Sequence, residues 1–345
     1  MTRPPQPALE AAMRRALELA ASPGVPTGPN PRVGCVLLAP DGTTVAEGHH
    51  RGAGSPHAEA AALAAAGAAA AGTTAVVTLE PCAHTGRTGP CAQALIRAGV
   101  VGVVFAQRDP NPVAAGGEAL LRAAGLEVET GLLAEDAAAL NETWTFAVSV
   151  GRPFVTWKAA ATLDGRIAAA DGSSRWITSS AARADVHALR GEVDAVVVGT
   201  GTVLADDPHL AVRRGGQVAP GSQPMRVVVG LRDIPAGSRV LDDAARTLQL
   251  RTHDPREVLA TLFAHDVQHV LLEGGPTLAA AFVRADLVDA VRWYAAPALL
   301  GAGRAALDDA GMESIAQALR LDVVDVVRVG DDVRIDARVR RERSR

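Results

Sequence analysis

The sequence predicts an α/β protein of two domains, and three observations carry that prediction. The chain has 345 residues, against roughly 150 per domain. Segments with helix-like and strand-like apolar spacing alternate along its whole length. The alternation restarts around Gly151-Arg152-Pro153, which divides the chain into residues 1–147 and 152–340. Aromatics are 3% of residues while 48% are hydrophobic, so both cores must be built mainly from alanine, valine and leucine.

In the first half, Leu9, Met13, Ala16, Leu17 and Ala20 recur at helical spacing and predict an amphipathic helix. Residues 33–38 read as a buried strand, Asp41-Gly42 as a turn, and the segment around Val45 as the returning strand of a hairpin. A helix is expected from His57 through the alanine-rich residues 58–71, since alanine is the strongest helix former. Strands at 74–79, 100–105 and 126–130 then alternate with helices at 91–97 and 118–124. That order predicts a mainly parallel sheet covered on both faces. The second half repeats the grammar, with strands at 154–161, 194–198, 226–229, 268–272 and from 287 on. Helices are expected at 180–190, 256–264 and 276–284, and a polar Gly/Pro-rich excursion at 205–224.

Thirty-four basic and 38 acidic residues leave a net charge of −4, which offers no overall field for nucleic acid or an anionic membrane. No run approaches the roughly 20 apolar residues of a membrane helix, and no hydrophobic leader is visible. A cytoplasmic location is expected. The chain holds three cysteines and one lysine, Lys158; three cysteines are too few for a disulfide framework and point to metal binding or catalysis. Cys35 lies inside an apolar strand and reads as core.

Chemistry concentrates in residues 57–91. His57-Ala58-Glu59 opens a helix, Pro81-Cys82 follows a strand, and Cys91 opens the next helix. One imidazole and two thiolates give Zn²⁺ three protein ligands and leave a fourth position for water, the pattern of a catalytic site. Glu59, two residues beyond His57, can reach that water without ligating the metal. A His-x-Glu followed by two cysteines marks zinc nucleobase deaminases, usually with Cys-x-x-Cys; here eight residues separate the cysteines. His84 is either a fourth ligand or, with Arg87, part of a loop facing substrate.

At these residues the chain resembles the bifunctional riboflavin-biosynthesis family, in which a pyrimidine deaminase is fused to a 5-amino-6-(5-phosphoribosylamino)uracil reductase. The likeness is carried by Asn30-Pro-Arg-Val-Gly-Cys-Val36, His57-Ala-Glu59, Thr78-Leu-Glu-Pro-Cys-Ala-His-Thr-Gly-Arg-Thr88, Asp109-Pro-Asn-Pro112, Lys158, Leu163-Asp-Gly-Arg166, Ser174-Arg-Trp-Ile-Thr-Ser179, Thr202-Val-Leu-Ala-Asp-Asp-Pro208, Arg213 and Glu273-Gly-Gly-Pro-Thr-Leu278. It implies a cytidine-deaminase-like three-layer α/β/α domain followed by a dihydrofolate-reductase-like α/β domain. The first would hydrolytically deaminate 2,5-diamino-6-ribosylamino-4(3H)-pyrimidinone 5′-phosphate; the second would reduce the ribosyl group to ribityl with NADPH. Carried over, His57, Cys82 and Cys91 would bind Zn²⁺ and Glu59 would be the proton donor. Ala160, Trp176, Thr202, Asp206 and Gly275-Pro276-Thr277-Leu278 contact NADPH. Lys158, Ser174, Arg190, Leu210, Arg213 and Glu273 contact the phosphorylated substrate, and a homo-oligomer is expected.

The residues themselves add to this. Glu273-Gly-Gly-Pro-Thr-Leu follows an apolar strand and opens a helix, where phosphate oxygens can sit. Arg190 and Arg213 could take a phosphate bidentately. Lys158 is the one basic side chain here able to give up a proton, and is expected to line the reductase site. Two departures from the family pattern stand out: Gly89 for a proline between the cysteines, and Gly230-Leu231 for Asp-Ser, which leaves the NADPH preference open. The rival reading is a zinc deaminase of another amino-pyrimidine or purine, fused to a pteridine-type reductase.

Overall fold

The computed structural model describes residues 3–25, 28–84, 89–221 and 223–341. The chain divides into two compact units, Met1–Gly151 and Arg152–Arg345.

In the first unit a five-stranded sheet runs in the order β2-β1-β3-β4-β5, with β1 Gly34–Leu38, β2 Thr44–His49, β3 Thr74–Leu79, β4 Gly102–Gln107 and β5 Glu127–Thr130. Strand β1 is antiparallel to both β2 and β3, while β3, β4 and β5 are parallel. The expected mainly parallel sheet is thus corrected to a mixed one. The hairpin at Asp41-Gly42 is as expected; what departs from the expectation is β3, which pairs antiparallel on the other side of β1 after the α2 crossover.

Side chains alternate across the sheet. Val36, Leu38, Val76 and Val104 pack under α1 (Gln6–Ala20) through Leu9, Met13 and Ala16. Cys35, Leu37, Val77 and Phe105 face the opposite layer, α2 (Ala58–Ala66) and α3 (Cys91–Arg97), through Ala58, Ala62, Ala92 and Leu95. The alanine-rich helix ends at Ala66 rather than 71, where Gly67 at φ 55 breaks it and a 3₁₀ turn follows over Gly67–Ala70. Helix α4 is Gly117–Ala123; α5 (Ala134–Leu140) and α6 (Glu142–Val150) were not legible as helices.

The second unit holds an eight-stranded sheet, β11-β10-β7-β12-β6-β13-β15-β14. Its parallel part comprises β6 Phe154–Thr162, β7 Ala195–Gly199, β10 Met225–Val229, β11 Thr247–Leu250, β12 His269–Leu272 and β13 Ala290–Ala296; β14 Leu321–Val329 and β15 Asp332–Val339 close it antiparallel. One face packs Val155, Trp157, Val197 and Val227 under α9 (Pro255–Phe263) and α10 (Pro276–Arg284). The other packs Val196, Val198 and Leu271 under α7 (Ser180–Arg190) and α8 (Thr200–Asp206). The polar excursion contains the small hairpin β8 Arg213–Arg214 and β9 Gln217–Val218. Three neighbouring exposed apolar residues, Val323, Val324 and Val326, lie on the edge strand β14. Among the described residues no helix is long and apolar enough to cross a membrane.

Candidate functional site

The first site lies where β3 ends and α2 and α3 begin. His57 is the N-cap of α2, Cys82 follows β3, and Cys91 is the first residue of α3. The His57 Nδ1 atom lies 3.2 Å from Cys91 Sγ and 3.7 Å from Cys82 Sγ, and the three ligand atoms are all within 4.8 Å of one another. Ligands at zinc distances in a tetrahedron stand about 3.6 Å apart, so the donor set fits Zn²⁺. The two sulfurs compete for one proton: a hydrogen bond from Cys91 draws Cys82 far below the usual thiol range, and Cys91 is raised in turn. A cation would take that proton's place. The backbone N–H of Cys91 also donates to Cys82 Sγ at 3.4 Å. Among the described residues His84 is not in the ligand cluster, which removes the fourth-ligand reading, and Arg87 lies outside the described residues.

Glu59 is buried in the first turn of α2, and burial pushes its carboxyl up to about 7. It lies close enough to interact with His57, Cys82 and Cys91. Sequence reading assigned no role to three neighbours. His50 stacks edge-on against His57 at 5.5 Å. Its Nδ1 meets the Pro56 carbonyl, which can only accept, so Nε2 accepts from Asn30 Nδ2 at 3.0 Å. Glu80 accepts the backbone N–H groups of Asp109, Gly116 and Glu118 and so ties a distant loop to the Cys82 turn. Its one sequence signal was a carboxylate directly after a strand rich in valine and leucine, a strand that is buried throughout.

The second site gathers Lys158, Arg190 and Glu273. Arg190 donates through Nε and Nη2 to the two Glu273 oxygens at 2.7 and 2.9 Å, and Lys158 Nζ is 3.8 Å from Oε2. Nε and Nη2 of Arg190 are thus engaged by Glu273, while Nη1 faces the Ala211 carbonyl. Burial alone would raise Glu273, but the two cations hold it near 2; burial pulls Lys158 below its ordinary value. Arg190 and His187 both contact the Ala211 carbonyl, which places Leu210 beside the cluster, buried and at φ 57. Arg213 is near enough for its charge to act on His187. Ala160 shares the Lys158 face of β6, whereas Ser174 stays on an exposed loop.

Gly275 caps α10, and a methyl group there would stand 3.7 Å from Thr202 Oγ1, so those two converge. On Gly274 a methyl would strike Leu278 at 2.6 Å, so the turn needs glycine. This narrow cradle at a helix N-terminus fits a dinucleotide's phosphates. Trp176 is 71% exposed, with the Arg183 guanidinium 4.3 Å over its ring, and Arg175 ties its loop to the Asp206 carbonyl. Thr277 donates its hydroxyl to Asp308 at 2.6 Å.

An α/β unit with a three-ligand metal site and adjacent carboxylate, followed by one with a buried Lys-Glu-Arg cluster beside a glycine cradle, defines a deaminase joined to a nucleotide-dependent reductase. Residues 7–107 match the cytidine and deoxycytidylate deaminase zinc-binding region, and residues 153–335 match the RibD C-terminal domain. The chain is 51% identical to the riboflavin biosynthesis protein RibD of Mycobacterium tuberculosis, covering 94% of this chain and 96% of that one. Against the Escherichia coli protein of the same name it is 40% identical, covering 93% and 96%. The structure of Acinetobacter baumannii RibD superposes with a TM-score of 0.90 at 41% identity, over 97% of this chain and 99% of that one. The Thermotoga maritima deaminase/reductase gives 0.86 at 34%, over 96% and 99%. The chain belongs to the RibD family of riboflavin biosynthesis, as a bifunctional deaminase and reductase that uses zinc and NADPH.

Proposed function

We propose that the first unit hydrolyses the ring 2-amino group of 2,5-diamino-6-ribosylamino-4(3H)-pyrimidinone 5′-phosphate. The second then reduces the ribosyl group of the product to ribityl. The observation that carries the reading is the convergence of His57, Cys82 and Cys91 from three separate elements beside the buried carboxyl of Glu59. Zinc bound there supplies the Lewis acidity that makes an attacking water available near neutral pH. Glu59 accepts that water's proton and passes it to the departing amine, so that ammonia leaves as the ring carbonyl forms. His50, held by Asn30 and Pro56, borders the metal ligand His57 and fixes that wall of the pocket.

In the second unit NADPH supplies the hydride when bound. Thr202 and the Gly275 turn hold its phosphates, and Trp176 and Asp206 flank it. Glu273 orients Arg190 and Lys158, and Lys158, its charge weakened by burial, delivers a proton to the ribosyl oxygen as the carbon is reduced. Leu210, Arg213 and Ser174 contribute the substrate's outer contacts. A second copy of the chain covers β14, because an exposed apolar edge strand invites pairing; light scattering on Val326→Lys against wild type tests that.

The deciding experiment supplies the diaminopyrimidinone ribotide to zinc-loaded protein, records ammonia without NADPH, then follows NADPH absorbance. Ammonia first and oxidation second is the expected order. Faster ammonia release from cytidine or guanine would move the assignment to another substrate.

A further inference from the structure

The reductase unit carries an arginine that the reaction does not use. In its sheet, β7 sends the chain outward to β10 and β11, whereas β12 sends it the other way, past β6 to β13. Neighbouring parallel strands that diverge in this way open a crevice at their carboxyl ends, where dinucleotides bind. Its lips are residues 199–202 and 273–276, and the Lys158–Arg190–Glu273 cluster lies on the β6 and β12 side. Hydride transfer requires the nicotinamide beside that cluster, so the adenosine end extends across the Gly275 turn toward β7 and β10.

At the end of β10 stands Gly230-Leu231-Arg232. Gly230 has φ 135, and a methyl group there would stand 2.6 Å from Thr200 Oγ1, so glycine alone lets the two loops approach so closely. That approach carries Arg232 over Gly201, where a methyl group would meet Arg232 Nη2 at 3.0 Å. The Arg232 carbonyl is held by Gln249 Nε2 at 3.3 Å, and the adjacent Asp233 is engaged by Arg251. Among the described residues no carboxylate pairs with Arg232. A free guanidinium with its backbone anchored from two sides is suited to a phosphate dianion, which it can bind through two N–H groups.

We propose that Arg232 binds the 2′-phosphate of NADPH and sets the preference for NADPH over NADH, an inference that rests on the reductase reading above. The test measures binding rather than turnover: fluorescence titration of wild type, Arg232→Gln and Arg232→Lys with NADPH, NADH, 2′-AMP and 5′-AMP. Arg232→Gln is expected to weaken NADPH and 2′-AMP by about ten- to hundredfold while leaving NADH and 5′-AMP within about twofold. Arg232→Lys restores part of the loss, and the wild-type affinity for NADPH falls with added salt more steeply than that for NADH. Equal weakening of both dinucleotides, or of neither, would overturn the assignment while leaving the reductase reading intact. A wild-type protein that binds neither dinucleotide would overturn both.

Discussion

Glu59 and Glu273 are both buried carboxyls, yet their surroundings push them in opposite directions. Around Glu59 burial prevails and raises the carboxyl to about 7, suited to a group that must take and return a proton near neutrality. Around Glu273 the Arg190 and Lys158 charges outweigh burial and keep it ionised. Glu59→Gln should therefore cut ammonia release by about 10²–10⁴ with zinc content unchanged, and with NADPH oxidation unchanged when substrate already deaminated is supplied; loss of zinc in parallel would assign Glu59 to metal retention instead. Glu273→Ala should destabilise the second unit by about 3–5 kcal/mol, because it leaves two buried cations without their counter-charge. Chemical denaturation would show this, with Glu273→Gln intermediate. At this scale the sequence exposed the His57, Cys82 and Cys91 group, whose spacing along the chain reports the chemistry. It did not expose Arg190's partner, 83 residues away in the chain, because pairing across elements leaves no local pattern.

Between elements, glycines set how closely backbones approach. A methyl group on Gly117 would stand 1.7 Å from the Pro81 carbonyl, so α4 presses directly on the turn that carries Cys82, and Glu80 binds the same contact together. Gly117→Ala is expected to lower zinc affinity by about 10–100-fold, read by chelator competition; an unchanged affinity would mean that the Cys82 turn does not depend on α4. In the second sheet, His269 opens β12 and bonds Thr156 Oγ1 through Nε2 at 2.9 Å. Burial lowers it to about 4 from 6.5. Between those values the unfolded chain takes up a proton that the folded chain refuses. Stability is thus full above pH 6.5 and declines as pH falls toward 4, by about 3 kcal/mol in all. Melting temperatures over that range should fall less steeply for His269→Gln than for wild type; identical slopes would assign the acid sensitivity elsewhere. Strongly periodic elements such as α1 and α10 were legible, but α5 and α6 were not, since their short apolar stretches gain helical form only by docking on the sheet.

For the whole molecule, two units with separate sites predict separable activities. Chelation of zinc should abolish ammonia release and leave NADPH oxidation intact when substrate already deaminated is supplied; joint loss would mean that the metal also supports the second unit. The sequence by itself determined the α/β class and the His-Cys-Cys zinc group, because hydrophobic period and ligand spacing are local properties of the chain. Tertiary structure alone decided that β1 runs antiparallel to β3, that Arg190 is held by Glu273, that Glu80 braces the metal loop and that, among the described residues, Arg232 meets no carboxylate. Each of these depends on which distant segments are brought within a few ångströms, a distance set by packing and not written in the spacing of residues along the chain.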